Sequence, residues 1–121
     1  MSDVPHILLL EDSVDAAMAL SRLLTRSGFR VTVAGTLNAA IRAVEEHEFD
    51  LAIADLALPD GSGVDLLPAL RRRGATPAVA LTGYDDVDAS RAAGFCEHLT
   101  KPIQFSDLLA LARRLCVPVS R

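Results

Sequence analysis

The sequence feature that most constrains the fold is a series of short apolar runs, each followed by a segment of helical periodicity. The runs are Ile- and Leu-rich, β-branched or Ala- and Val-rich, and each is short enough to be a strand. They lie at His6–Leu10, Arg30–Ala34, Phe49–Asp55, Ala78–Leu81 and Cys96–Leu99. Strands that are apolar along their whole length are buried on both faces. The pattern therefore predicts a parallel sheet with helices on both sides and right-handed crossovers.

Five helices are predicted between and after these strands. They cover about 14–24, 37–48, 64–73, 85–93 and 107–116. Ser13, Thr36 and Ser106 precede three of them at the position that a capping side chain occupies. We expect the apolar residues of the first helix to face the core, since they recur at helical spacing. They are Val14, Ala17, Met18, Leu20, Leu23 and Leu24.

Composition limits the class of protein. The chain has 121 residues, of which 50% are hydrophobic, so we expect one domain over residues 1–121 with a core at about 5–116. A net charge of -4 argues against direct nucleic-acid binding. No run is long enough for a membrane segment and the N-terminus does not resemble a signal peptide, so a cytoplasmic location is expected. Cys96 and Cys116 lack metal-ligand spacing and are expected to be buried thiols.

Polar residues stand at the carboxyl ends of the predicted strands. Glu11 and Asp12 follow the first strand, and Asp55 ends the third. Thr82 follows the fourth, and Lys101, the only lysine, comes after the fifth. Singly, each such residue is explained by a helix cap or a surface charge. Together they meet at one edge of a parallel sheet, which is where ligands bind in such folds.

These residue types suit phosphoryl transfer. Crowded carboxylates repel one another and so attract a hard cation such as Mg²⁺. A carboxylate beside the metal can act as a nucleophile toward a phosphoryl group, while an ammonium neutralises developing charge. No Ser or Cys nucleophile stands next to a histidine base, which argues against ester or peptide hydrolysis.

Four motifs in this order resemble the receiver domain of two-component response regulators. They are LLLED (8–12), DLALPDGSG (55–63), ALTG (80–83) and LTKP (99–102). The resemblance implies an α/β, flavodoxin-like (βα)5 fold, a doubly wound five-stranded parallel sheet with strand order 2-1-3-4-5. It implies a phosphorelay switch, not a metabolic enzyme. Such a domain takes a phosphoryl group from a histidine kinase or histidine phosphotransfer protein and signals to a downstream protein, here unknown.

The same resemblance implies the roles of the residues that handle metal and phosphate. Asp55 is the expected phosphoacceptor. Asp12, Asp55 and the backbone carbonyl of Ala57 are the expected ligands of Mg²⁺, or of Mn²⁺ in its place. Glu11 is expected to hold the metal's waters, and Lys101 is expected to pair with the phosphoryl oxygens.

Switching residues are implied in the same way. Thr82 is the expected switch hydroxyl and His98 the switch aromatic, and the Lys101-Pro102 bond is expected to be cis, an isomer that proline makes accessible. Tyr or Phe is commoner in the family than His98. Two interpretations of His98 stay open: a half-buried ring that gates little, or a residue that couples the switch to pH.

Two features are expected to affect phosphoryl lifetime and output. Ala57 and Tyr84 flank the site and neither carries a carboxylate or amide to orient water, so slow self-dephosphorylation is expected. Tyr84 is equally explained as packing at the rim. The segment 82–94 is about three residues shorter than the family implies, so dimerisation through the fourth helix, fifth strand and fifth helix is doubtful.

Three alternatives concern the whole chain. An enzyme of the haloacid-dehalogenase type also uses a strand-end Asp with Mg²⁺, but it requires a second Asp where Ala57 stands. A docking module that keeps only the fold is possible, although such modules usually lose an acidic or Lys position. The run GFCEHLTKPI (94–103) is similar to receivers fused to hybrid histidine kinases, which favours mildly an origin in such a kinase.

Overall fold

The computed structural model describes residues 4–83 and 87–116. Its strands in chain order are β1 (His6–Leu10), β2 (Arg30–Ala34), β3 (Leu51–Asp55), β4 (Ala57–Leu58), β5 (Gly61–Ser62), β6 (Ala78–Thr82) and β7 (Glu97–Thr100). Its α-helices are α1 (Val14–Arg26), α2 (Leu37–Glu46), α3 (Leu67–Arg73), α4 (Val87–Ala93) and α5 (Phe105–Leu115). None of these helices is long and apolar enough to cross a membrane.

The main sheet has five parallel strands in the order β2-β1-β3-β6-β7. β4 and β5 form a separate antiparallel hairpin. β6 and β7 are therefore the fourth and fifth strands of the main sheet, and the predicted order 2-1-3-4-5 is confirmed. In the centre of the sheet Leu9 is in register with Val33 on one side and with Ile53 on the other. All five residues of β3 and of β6 are buried, as expected for strands covered on both faces.

The sheet divides the apolar core into two layers. Side chains alternate along each strand, so Leu8 and Leu10 face one layer while Ile7 and Leu9 face the other. The first layer is closed by α2 and α3, and the second by α1 and α5. This two-sided packing fixes the sheet, and with it the positions of the residues at the strand ends.

Two of the three predicted caps are confirmed. Ser13 accepts a hydrogen bond from the backbone N of Ala16, and Thr36 accepts one from Ala39. Ser106 is wrong as a cap, because α5 begins at Phe105 with Gln104 in the cap position and no capping side chain. Phe105 packs against the second core layer. Tertiary packing of that ring therefore sets the start of the helix in preference to a serine cap.

The predicted core face of α1 is too wide. Ala17 and Leu24 are buried and Leu20 packs against the core. Val14, Met18 and Leu23 are exposed instead, at 70%, 47% and 37%. The helix touches the sheet along a narrow stripe, so apolar residues beside that stripe stay at the surface.

Cys96 was expected in the core, and that prediction is wrong. β7 begins at Glu97, so Cys96 precedes the strand and is exposed, with its Sγ 3.3 Å from the carbonyl oxygen of Ala78. Cys116 is buried, as predicted. β7 is an edge strand, and its residues are only half-buried.

Element boundaries differ from the predictions by a few residues. α2 ends at Glu46 and not at Glu48, and β3 starts two residues later than expected. The predicted third helix begins as a 3-10 turn over Gly63–Leu66 before α3. The predicted fourth helix is described from Val87 onward, and its first two residues lie outside the described part of the chain.

Candidate functional site

Three polar residues lie buried at the carboxyl edge of the sheet. Asp55 ends β3 and is 3% exposed, Glu11 directly follows β1 and is 5% exposed, and Thr82 ends β6 and is 1% exposed. A buried polar group is costly unless it is paired or hydrogen-bonded. Their shared position therefore marks this edge as the candidate site.

The carboxylates of Glu11, Asp12 and Asp55 form a cluster. One oxygen from each lies within 4.8 Å of the other two. Burial raises the pKa of Glu11 above its ordinary value, and the negative charge of Asp55 adds to the effect. A set of carboxylate oxygens with excess negative charge is what a hard divalent cation binds, so the donor set fits Mg²⁺.

Lys101 reaches the cluster from the far side of β6. Its Nζ donates to Oδ2 of Asp55 at 2.6 Å, and its backbone N donates to the carbonyl oxygen of Thr82 at 2.9 Å. Partial burial disfavours the charged amine, but the hydrogen bond and negative charge of Asp55 outweigh it and raise the pKa of Lys101. The side chain is therefore an ammonium at neutral pH and balances part of the cluster's charge.

Backbone amides hold two further carboxylate oxygens of the cluster. The backbone N of Ala57 donates to Oδ1 of Asp55 at 3.0 Å, so both oxygens of Asp55 have a donor. The backbone N of Ser13 donates to Oε2 of Glu11 at 3.0 Å. These contacts orient the carboxylates through the loops after β1 and β3.

Thr82 and His98 share one face of the sheet. Thr82 is in register with Thr100, and His98 is in register with Ala80. Because side chains two residues apart point to the same face, His98 lies on the face that Thr82 also occupies. The Thr82 hydroxyl donates to the carbonyl oxygen of Gly83 at 2.9 Å, and His98 is half-buried.

The Lys101-Pro102 peptide bond is cis, as the resemblance implied. Tyr84, which was expected to flank the site either as a residue that affects phosphoryl lifetime or as packing at the rim, falls outside the described residues. The structure thus brings together Glu11, Asp12, Asp55 and Lys101 among the residues that the sequence predicts.

Asp60 lies within the motif DLALPDGSG (55–63), but the sequence analysis assigns it no role. Its carboxylate accepts from the backbone N of Leu37 at 2.8 Å and from that of Asn38 at 3.1 Å. The Pro59-Asp60-Gly61 turn signals a loop, but nothing local in the sequence indicates partners more than twenty positions away.

An apolar groove of about 360 Å³ borders the acidic cluster. Glu11 and Asp12 line it together with the exposed apolar side chains of Val14, Met18 and Val33. The remaining lining residues are Ala17, Ser21, Arg22 and Gly35. The groove lies between α1 and the edge strand β2. It places an uncovered apolar surface directly beside the carboxylates.

Comparison with known proteins identifies the family. The protein-family model of the response regulator receiver domain matches residues 7–113 of this chain. The chain therefore belongs to the receiver domains of two-component response regulators, which are signalling switches. This membership decides against an enzyme of the haloacid-dehalogenase type.

Two curated relatives illustrate the family. The chain is 37% identical over 110 residues to the transcriptional regulatory protein KdpE of Mycobacterium tuberculosis. It is 33% identical over 110 residues to the sensory transduction protein RegX3 of Mycolicibacterium smegmatis. The matches cover 88% of this chain but 49% and 48% of those proteins, so the chain spans about half the length of these relatives. They give no support to an origin in a hybrid kinase.

Solved structures agree with this assignment. The non-phosphorylated HemR receiver domain of Leptospira biflexa is 29% identical, with a TM-score of 0.83 and coverage of 97% of this chain and 98% of that one. The receiver domain of a sensor histidine kinase of Pseudomonas aeruginosa is 25% identical, with a TM-score of 0.84 and coverage of 95% and 99%. That receiver was solved with a magnesium ion coordinated in its active-site cleft.

Proposed function

We propose that this receiver accepts a phosphoryl group on Asp55 from the phosphohistidine of a histidine kinase or a histidine phosphotransfer protein. The observation that carries the proposal is the environment of Asp55. It is buried at the end of β3, contacts the only lysine of the chain, and lies within 4.8 Å of two further carboxylates. This combination concentrates a nucleophile, negative charge and a compensating cation in one place.

The residues that would hold the metal are the carboxylates of Asp12 and Asp55 and the backbone carbonyl of Ala57, with Glu11 binding through water. Mn²⁺ is an expected substitute. When bound, Mg²⁺ supplies positive charge that offsets the crowded carboxylates and the phosphoryl oxygens. The oxygen-only donor set at this edge supports the assignment.

The transfer uses the chain's own groups as follows. A carboxylate oxygen of Asp55 forms a bond to phosphorus as the bond between phosphorus and the donor's imidazole nitrogen breaks, and the imidazole nitrogen keeps that electron pair. The product is an acyl phosphate on Asp55. Lys101, which contacts Oδ2 beforehand, pairs with the phosphoryl oxygens and reduces repulsion as negative charge arrives.

The phosphoryl group would then be read by Thr82 and His98. The shared face of these side chains supports a coupled movement, in which the Thr82 hydroxyl leaves the Gly83 carbonyl for a phosphoryl oxygen and His98 follows. Neither Ala57 nor Tyr84 carries a carboxylate or an amide that would orient an attacking water. Slow self-dephosphorylation therefore belongs to the proposal.

The groove between α1 and β2 suits the docking of the phosphoryl donor. The donor must bring its histidine to Asp55, and the apolar side chains of Val14, Met18 and Val33 lie next to the carboxylates. Burying them against an apolar helix of the donor would supply binding free energy in proportion to the area removed from water. Since donor proteins of this kind act inside the cell, a cytoplasmic location follows from the proposal.

The test is intact mass after incubation with acetyl phosphate and Mg²⁺. We expect a gain of about 80 Da, the mass of one phosphoryl group on a carboxylate nucleophile. The gain should be absent in Asp55→Asn and present in Asp65→Asn, which changes an exposed acid in the following turn. A wild-type chain that gains no mass from either acetyl phosphate or a phosphorylated donor protein would favour a docking module without phosphorylation.

A further inference from the structure

Asp60 joins the loop after β3 to the start of α2. Both of its carboxylate oxygens accept hydrogen bonds, Oδ1 from Leu37 and Oδ2 from Asn38, which are the first two residues of the helix. These bonds lower the pKa of the Asp60 carboxyl. Asp60 is exposed, so the two hydrogen bonds, and not burial of the side chain, hold its carboxylate in place.

The capping of α2 is divided between two residues. The first four backbone N–H groups of a helix have no partner within it. In α2, Thr36 takes the third and fourth, through its hydroxyl from Ala39 and through its carbonyl from Ala40. Asp60 takes the first two. Asp60 therefore does something that the local cap does not: it ties a separate loop to the helix.

That loop is the β4–β5 hairpin, and it carries Ala57. Ala57 is in register with Ser62, and Leu58 with Gly61, so Asp60 lies in the turn that joins the two short strands. At the other end of the hairpin the backbone N of Ala57 contacts Asp55. Asp60 and the phosphoacceptor thus hold opposite ends of one small unit.

Two glycines show that the hairpin is closely packed. Gly61 has a φ of +152°, and a Cβ there would lie 2.9 Å from Cδ2 of Leu37, so the turn rests on the first residue of α2. A Cβ on Gly63, the residue directly after the hairpin, would clash with the backbone carbonyl oxygen of Asp55. The hairpin is therefore confined between α2 and the end of β3, and Asp60 supplies its polar side-chain anchor to α2.

We propose that Asp60 is a positioning residue that fixes the Ala57 carbonyl for Mg²⁺ by anchoring the β4–β5 hairpin to the N-terminus of α2. The proposal rests on the proposed function, because it assigns Asp60 to the metal site described there. Outer-shell partners of metal ligands typically change metal affinity by about 10- to 100-fold. Asp60 acts through a short hairpin, so we expect the lower end of that range.

The test is a Mg²⁺ titration of the full chain, monitored through the NMR chemical shift of the Ala57 amide. Asp60→Ala is expected to raise the Mg²⁺ dissociation constant by about tenfold. Asp60→Asn keeps one acceptor oxygen and loses the charge, so it should recover part of the affinity. At saturating Mg²⁺ the rate of phosphorylation by acetyl phosphate should return close to the wild-type rate in both variants.

Thr36→Ala is the matched control, because the hydrogen bond that it removes joins Thr36 to the backbone N of Ala39 in the same helix and not to the hairpin. It should destabilise the chain in EDTA and leave the Mg²⁺ dissociation constant within about twofold of wild type. Equal weakening by Thr36→Ala, an unchanged constant in Asp60→Ala, or the same loss in Asp60→Asn as in Asp60→Ala would each overturn the proposal. A wild-type chain that shows no Mg²⁺ response would instead overturn the proposed metal site itself.

Discussion

Replacing Asp12 by Asn should stabilise the metal-free chain. Asp12 is exposed, yet its carboxylate lies within 4.8 Å of the carboxylates of Glu11 and Asp55. At that separation two unit charges repel by ~0.9 kcal/mol in a water-like dielectric and by ~3.5 kcal/mol at an effective dielectric constant of 20. Because Asp12 faces solvent, the smaller value applies to each of the two pairs.

Two terms oppose this gain. Asp12 lies just before the N-terminus of α1, where a negative charge is favourable, and its charge also attracts Lys101. We therefore expect Asp12→Asn to raise the free energy of unfolding by about 1 kcal/mol without metal. Urea unfolding in EDTA, monitored by far-UV circular dichroism, measures this difference in the free energy of unfolding. Glu45→Gln, an exposed change of the same charge on α2, should have little effect.

Adding Mg²⁺ should reverse the order of stability. A ligand at 100 times its dissociation constant stabilises the folded state by ~2.7 kcal/mol, and wild type should gain this while Asp12→Asn loses most of it. The reasoning would be refuted if Asp12→Asn were less stable than wild type in EDTA, or if Mg²⁺ stabilised both chains equally.

Three further predictions concern the stability of the fold. Leu81→Ala should lower the free energy of unfolding by about 2–5 kcal/mol, because Leu81 is fully buried. Val33→Ala, at an exposed position, should change it little. Similar losses in both variants, measured by urea unfolding, would contradict the different burial of the two side chains. Thr36→Ala should lower the free energy of unfolding by about 1 kcal/mol, because it removes the side-chain cap of α2. An unchanged midpoint of urea unfolding would show that this cap does not stabilise the chain. Burial lowers the pKa of His6, whose ring is hydrogen-bonded to the Thr32 hydroxyl. The imidazole therefore takes up its proton at a higher pH in the unfolded chain than in the folded one. The contribution of His6 to stability should be complete above the unfolded pKa of about 6.5 and should fall as the pH drops below that value. His6→Gln should make the free energy of unfolding less dependent on pH in this range. The same pH dependence in wild type and in His6→Gln would contradict the prediction.

The sheet and the clustered residues could be predicted because they depend on patterns along the chain. A run such as His6–Leu10 is too apolar to have an exposed face, and its abrupt end at Glu11 places a carboxylate at the sheet edge. Once five such runs are parallel, their polar ends must meet. The position of Lys101 at the same edge as Asp55 follows from that topology, while their 2.6 Å contact is a finding of the structure.

Features that depend on three-dimensional packing could not be predicted in this way. Helical spacing cannot show how wide a stripe of α1 the sheet covers, so Val14 and Met18 were placed in the core and are exposed. Ser106 has the residue type of a cap, but the packing of Phe105 starts the helix earlier. Asp60 reaches α2 only because the hairpin folds back, and no sequence period records that contact.

The central claim is that Asp55 is the residue that carries the phosphoryl group. After phosphorylation with acetyl phosphate and Mg²⁺, borohydride reduces an acyl phosphate at an aspartate to homoserine, and peptide mass spectrometry then locates the changed residue. The account predicts homoserine at position 55 in wild type and none in a sample from which Mg²⁺ was removed with EDTA. Homoserine at position 12, or a label that forms equally well without Mg²⁺, would contradict it.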